Sequence, residues 1–138
     1  MTDLDVAATY DAFINGRLGI DEWTHEAHLA ACLVALETRT PAESIDFLRD
    51  AITAHNCGIA IRNTETSGYH ETLTVYYVTA VHHAVADAGA STLDGLLAEP
   101  TCGRKAPLNH WSETVLWSPE ARLGWIPPDL AALPWPRA

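Results

Sequence analysis

Positive charge is scarce in this chain: 8 Lys and Arg stand against 18 Asp and Glu, for a formal net charge of −10. Neutralising a phosphate backbone needs clustered basic side chains, so a nucleic-acid partner is excluded. An anionic membrane surface is excluded on the same ground. Long apolar runs are also missing, since no stretch approaches the ~20 residues that cross a bilayer. The opening Met1-Thr2-Asp3-Leu4-Asp5 is acidic and lacks the basic start of a secretory signal. A cytoplasmic location is therefore expected. Cysteine is sparse and unpaired in spacing: Cys32, Cys57 and Cys102 form no C-x-x-C, which argues against a thiolate zinc site or a redox motif. All three are expected to stay reduced, with Cys32 in the core. No G-x-S-x-G, Gly-rich phosphate loop or H-E-x-x-H is present.

What the chain does hold is apolar residues, at 48% of 138 positions. That is enough for a real core and fits one domain over 1–138. The patterning predicts an all-α fold. A compact bundle of about four main helices occupies residues 1–98, and an irregular Trp- and Pro-rich wrap over 99–138 covers it. The first helix is expected from about Leu4 to Asn15, with Val6, Tyr10, Phe13 and Ile14 on one face. The second starts near Asp21 or Thr24 and is apolar on every side from Leu29 to Leu36, which suits the centre of a bundle. Thr40-Pro41-Ala42-Glu43 reads as a capping box with proline at the first helical position. The third helix then runs to about Cys57-Gly58. A polar connection over 62–68 precedes a fourth helix, about Tyr69 to Ala88, where β-branched and aromatic residues make a strand the competing reading. Thr92 to Leu97 and Ser118 to Arg122 read as short capped helices. All but one of the prolines and all but one of the tryptophans lie from Pro100 onward. Trp111, Trp117 and Trp125 are expected to hold the wrap against the bundle.

Chemistry concentrates in two segments. In Trp23-Thr24-His25-Glu26-Ala27-His28-Leu29 the two histidines, three positions apart, share a helix face with Cβ atoms roughly 5–6 Å apart. Both imidazoles could then reach one cation, although such a pair is also met as one buried and one exposed histidine. In Gly68-Tyr69-His70-Glu71-Thr72-Leu73-Thr74, His70 and Thr74 share a face while Glu71 is rotated by roughly 100°. Ligands on facing helices of a bundle make metal sites. The expected metal set is therefore His25, His28, His70 and Glu71. A divalent cation, iron or zinc first and manganese or nickel next, suits imidazole and carboxylate donors. Glu71 and Tyr69 are the candidate acid–base groups, and Asn63, Thr66 and Thr74, with Thr64, the candidate substrate contacts. The loop residues equally suit turn and cap chemistry. His82 and His83 point in different directions, His55 sits where an imidazolium would suit the helix dipole, and His110 lies in the wrap.

These same segments, with Asn63-Thr64, Ser118-Pro119-Glu120-Ala121-Arg122, Trp125 and Pro128-Asp129-Leu130, resemble a group of small bacterial hypothetical proteins. The resemblance spans nearly the whole chain. It implies one intact domain and singles out the two histidine segments, without supplying a reaction. The leading expectation is a small metal-dependent enzyme acting on a small molecule, with the metal as Lewis acid or as an activator of water or oxygen. The alternatives are a metal-free His/Glu lyase or isomerase, or a non-catalytic small-ligand-binding protein. Assembly as a homo-oligomer is compatible with all three.

Overall fold

The computed structural model describes residues 4–135 and is all-helical, with no strand among them. Four main helices carry the fold: α1 (Val6–Ile14), α2 (His25–Thr38), α3 (Pro41–Gly58) and α4 (Glu71–Ala88). Three short ones follow: α5 (Leu93–Leu97), α6 (Glu113–Leu116) and α7 (Pro119–Leu123). The strand reading of the fourth segment gives way to a helix. Its Val, Thr and Tyr side chains are accommodated because Thr72, Tyr76, Val78, Ala80, Val81 and Ala84 pack inward at helical spacing. Tertiary burial outweighs the fractions of a kcal/mol by which such residues disfavour a helix.

Polar side chains set the helix ends. Asp5 caps α1 through Ala8 N–H, and Thr24 caps α2 through Ala27 N–H. Thr40 and Glu43 form the capping box expected for α3. Thr92, Ser112 and Ser118 cap the short helices. Each such cap contributes about 1 kcal/mol. Helix α4 closes on Gly89, whose φ of 66° lets Ala90 N–H return to the Ala84 carbonyl at 3.1 Å.

Helix α2 is the central element, packed against α1, α3, α4 and α5. Ala27, Leu29, Ala30, Ala31, Cys32, Leu33 and Ala35 are all buried along it. On α1 only part of the expected face turns inward: Phe13 is buried, whereas Ile14 is 43% exposed.

The segment from Pro100 onward lies over α4, and backbone hydrogen bonds hold it as much as aromatic packing does. Trp111 is fully buried and donates its indole N–H to the Ile126 carbonyl at 2.9 Å. Removing about 200 Å² of indole from water stabilises by on the order of 5 kcal/mol. Thr72, also fully buried, donates to the Gly124 carbonyl at 2.8 Å and accepts from Ile126 N–H at 3.2 Å. Tyr76 OH donates to the Thr101 carbonyl and Tyr77 OH to that of Gly103, both at 2.8 Å. Trp117 and Trp125 pack edge-on against His70 and Trp111 but are less covered. They are 50% and 36% exposed, so Trp111 is the anchor of the wrap. Among the described residues no helix is long and apolar enough to cross a membrane.

Candidate functional site

The N-terminal ends of α2 and α4 face one cavity of about 660 Å³. Leu48, Ile52, Leu73 and Leu116 give it apolar walls, while His25, His28, Asn56, Tyr69, His70 and Tyr77 supply its polar groups. Arg104 and Lys105 also line it. The three histidines picked out in the sequence therefore share one cavity, and Glu71 does not line it.

Each of those rings is fixed by the backbone. A carbonyl can only accept, so the tautomers follow from the contacts. His25 donates from Nε2 to the Cys102 carbonyl at 2.8 Å, which leaves Nδ1 with the lone pair. His28 donates from Nδ1 to the Thr24 carbonyl at 2.7 Å, which leaves Nε2 with the lone pair. The His28 ring lies 3.7 Å, centroid to centroid, from that of Trp23. Neither lone pair has a hydrogen-bond partner among the described residues. Burial pushes His28 down to about 4, with smaller contributions from His25 and His55 opposing the gain from the Thr24 carbonyl. The ring is thus neutral over the whole physiological range.

His70 does not begin the helix, as the sequence reading had it. It precedes α4 as the N-cap, with extended φ and ψ of −133° and 108°. Its Nδ1 accepts from Leu73 N–H at 3.2 Å, and its Nε2 donates to the Leu116 carbonyl at 2.7 Å. Both nitrogens are occupied, and burial lowers its pKa, with nearby Arg122 adding to the effect. Neutral His70 joins α4 to α6.

Glu71 is turned to the far side. Arg49 grips it with Nε at 2.8 Å and Nη2 at 2.7 Å, and Tyr69 OH donates to it at 2.7 Å. The guanidinium holds the carboxyl below its ordinary range. Burial raises the Tyr69 phenol, and the neighbouring carboxylate adds to this. Tyr69 lines both the large cavity and a second one of about 370 Å³ that contains Glu71. Among the described residues no group of three or more His, Cys, Asp or Glu is placed to share one metal ion.

The loop before α4 is built on Asn63. Its Oδ1 accepts from Tyr69 N–H and from Asn56 Nδ2, each at 3.0 Å, and its Nδ2 donates to the Thr53 carbonyl at 3.1 Å. Its amide is fully engaged in folding the loop, and it lines the second cavity only. Thr66 is exposed and hydrogen-bonded to Thr64, and it lines neither cavity. Thr74 lines the large cavity and donates its hydroxyl to the His70 carbonyl at 3.0 Å. Gly68 makes the turn possible. Its φ is 78°, and a Cβ there would stand 2.5 Å from the Arg62 carbonyl oxygen and 2.7 Å from Asn63 Oδ1.

The remaining histidines do not line the large cavity. His55 is a buried ring between Phe13 and Trp23, donating from Nε2 to the Leu18 carbonyl at 2.8 Å. It stands in the last turn of α3, as expected. His83 meets Asp87 at 3.2 Å and stacks on Trp135. His110 contacts the Ala131 carbonyl at 3.1 Å.

One polar group of the cavity has no sequence signal. Asn56 is 3% exposed, and its Oδ1 is buried without a partner. Its orientation is settled: Asn63 Oδ1 already accepts from Tyr69 N–H, so Asn56 must present its NH2 there and its oxygen elsewhere. An asparagine near a helix C-terminus reads in sequence as capping. Arg49 and Arg122 were equally invisible, because a single arginine on a helix reads as a solvated charge. Comparison with protein-family models, curated proteins and solved structures finds no significant match for this chain.

Proposed function

We propose that the protein binds a small, mainly apolar organic molecule in the large cavity and recognises it by N–H or O–H groups. The observation that carries this reading is His28 Nε2, an acceptor on a cavity-lining ring with no hydrogen-bond partner among the described residues. Asn56, another lining residue, has its Oδ1 buried without a partner, and such an acceptor costs about 1–3 kcal/mol until a donor reaches it. Mostly apolar walls with a few placed polar groups are the usual composition of a small-molecule site. Binding is favoured over proton transfer because a general base works best with a pKa near the working pH, and His28 lies at about 4.

A metal-dependent reading keeps one supporting observation. His25 Nδ1 and His28 Nε2 are the ring nitrogens not bonded to a backbone carbonyl, three residues apart on α2. Such a pair could supply two donors to zinc or iron if ligand or water completed the set. His70 and Glu71 use their donor atoms elsewhere.

The test is ligand-observed NMR with small phenols and primary amides, run beside their O-methyl and N,N-dimethyl counterparts. The donors are expected to bind in the millimolar range (about −4 kcal/mol), and the methylated forms at least about tenfold more weakly. His28→Phe should remove that preference. Equal binding of both sets, or a preference that survives in His28→Phe, would refute the reading. Elemental analysis of untagged protein decides the metal arm, where stoichiometric zinc or iron lost in both His25→Ala and His28→Ala would establish it.

A further inference from the structure

We propose that the second cavity, between α3, α4 and α7, is an oxyanion site for the phosphate or carboxylate group of a small molecule, with Arg122 as its principal donor. The inference stands apart from the reading of the large cavity and rests on different residues.

Arg122 is a partly buried cation with no acid. Its Nη1 donates to the Gly68 carbonyl at 2.8 Å, and its Nε is buried without a partner. No carboxylate among the described residues lies within ion-pair distance of it. Burial alone lowers its pKa, and no acidic neighbour opposes that. Arginine is rarely removed from water unless its charge is matched, because desolvation is costly and a counter-ion is what offsets it. This chain has 18 acidic side chains, yet none of the described ones is placed there.

The surroundings fit an anion. Arg49 and Arg122 both line the cavity, and Glu71 is the only carboxylate among the described lining residues, so these carry two positive charges and one negative, or +1. Both Glu71 oxygens are already engaged by Arg49 and Tyr69, which leaves the Arg122 charge unmatched. Thr53 and Thr64 also line the space, and the Thr53 hydroxyl makes no hydrogen bond to described residues. At about 370 Å³ the cavity holds a phosphate or carboxylate group with part of the molecule that bears it. A planar guanidinium fork matches either group. Two of only 8 basic residues thus meet at one cavity of a strongly acidic chain.

The experiment is a titration of the full chain with sodium phosphate, and separately with sodium acetate, at ionic strength held constant with sodium chloride. Arginine Nε–Hε and backbone amide resonances are followed by NMR. The expected result is saturable shifts at Arg122, Arg49 and Thr64 with a Kd below about 10 mM. Tighter binding of phosphate identifies a phosphoryl ligand, and tighter binding of acetate a carboxylate. Arg122→Gln should weaken binding at least tenfold, while Arg122→Lys retains part of it. If Arg122→Gln does not fold, the wild-type titration decides alone. Shifts that do not saturate by about 10 mM for either anion, or that centre on Arg104 and Lys105, would overturn the proposal.

Discussion

Protonation of His28 should control the acid stability of this protein. The unfolded imidazole titrates near 6.5, and in the folded chain burial pushes it down to about 4. A depressed folded pKa means that the unfolded state binds the proton first, so stability falls as pH drops from 6.5 toward 4. Above 6.5 both states hold a neutral ring and the residue adds no pH dependence. Between these limits the slope approaches 1.36 kcal/mol per pH unit. Integrated from pH 7 to pH 5, His28 alone removes about 2 kcal/mol, a substantial part of the 5–15 kcal/mol that domains of this size have. His70, also lowered by burial, acts with the same sign. The assay is urea unfolding of wild type and His28→Gln at pH 7.0, 6.0 and 5.0 (about one proton-linkage step apart). The glutamine variant should start lower, having lost the contact with Trp23, but its stability should fall by about 2 kcal/mol less over that range. Parallel pH profiles for the two proteins would refute the reasoning, as would an NMR-measured His28 pKa near 6.5.

Gly68→Ala should destabilise by at least about 2 kcal/mol in urea unfolding, because it combines a left-handed backbone with a Cβ 2.5 Å from a carbonyl oxygen. Unchanged stability would show that the loop relaxes. Thr72→Val, nearly isosteric, leaves the Gly124 carbonyl and the Ile126 N–H without their partner in a half-buried position. It should cost about 2 kcal/mol and speed proteolysis of the segment after α7, read by mass spectrometry of the fragments. Under native conditions iodoacetamide should label Cys57 alone. Cys57 is exposed, whereas Cys32 is buried with its thiol pushed up to about 12, and Cys102 is buried and pushed up to about 11.

The fold was legible where local chemistry and periodicity agree. Thr40-Pro41-Ala42-Glu43 announces α3 by itself, and the apolar run from Leu29 to Leu36 announces a central helix. Ser118-Pro119 and Thr92 do the same for short elements. The site was legible only in part. The spacing of His25 and His28 places two rings on one face, and the cavity holds both. A rotation of ~100° separates His70 and Glu71 only within one helix; His70 stands outside α4, and Arg49 holds Glu71 on the far side. What a sequence does not show is which backbone carbonyls come within reach of a ring. Cys102 and Leu116 are 77 and 46 residues away from the histidines that they fix. For the same reason Asn56 and Arg122 were silent, since an unmatched polar group is defined by what fails to approach it.

The two histidine segments end up with opposite kinds of role, and the difference follows from where each sits relative to its helix. A residue at the N-cap faces free N–H groups, so an imidazole there is drawn into accepting one, as His70 Nδ1 does from Leu73. Its other nitrogen is then obliged to be a donor, and Leu116 O supplies the acceptor. A residue inside the first turn, such as His28, meets a different backbone. Its own N–H already bonds the Thr24 carbonyl, and its ring Nδ1 reaches that same oxygen at 2.7 Å. This local bond leaves Nε2 as the unsatisfied atom. One position of the pattern therefore closes the structure, and the other leaves a ring nitrogen without a partner among the described residues. His28→Gln and His70→Gln separate the roles: loss of donor-ligand binding, with a loss of stability at pH 7 limited to the Trp23 contact, is expected for the first, and loss of stability, by about 2 kcal/mol as a buried cap and its partner carbonyl are broken, with donor-ligand preference kept, for the second. A His70→Gln protein as stable as wild type, by urea unfolding at pH 7, would contradict this division.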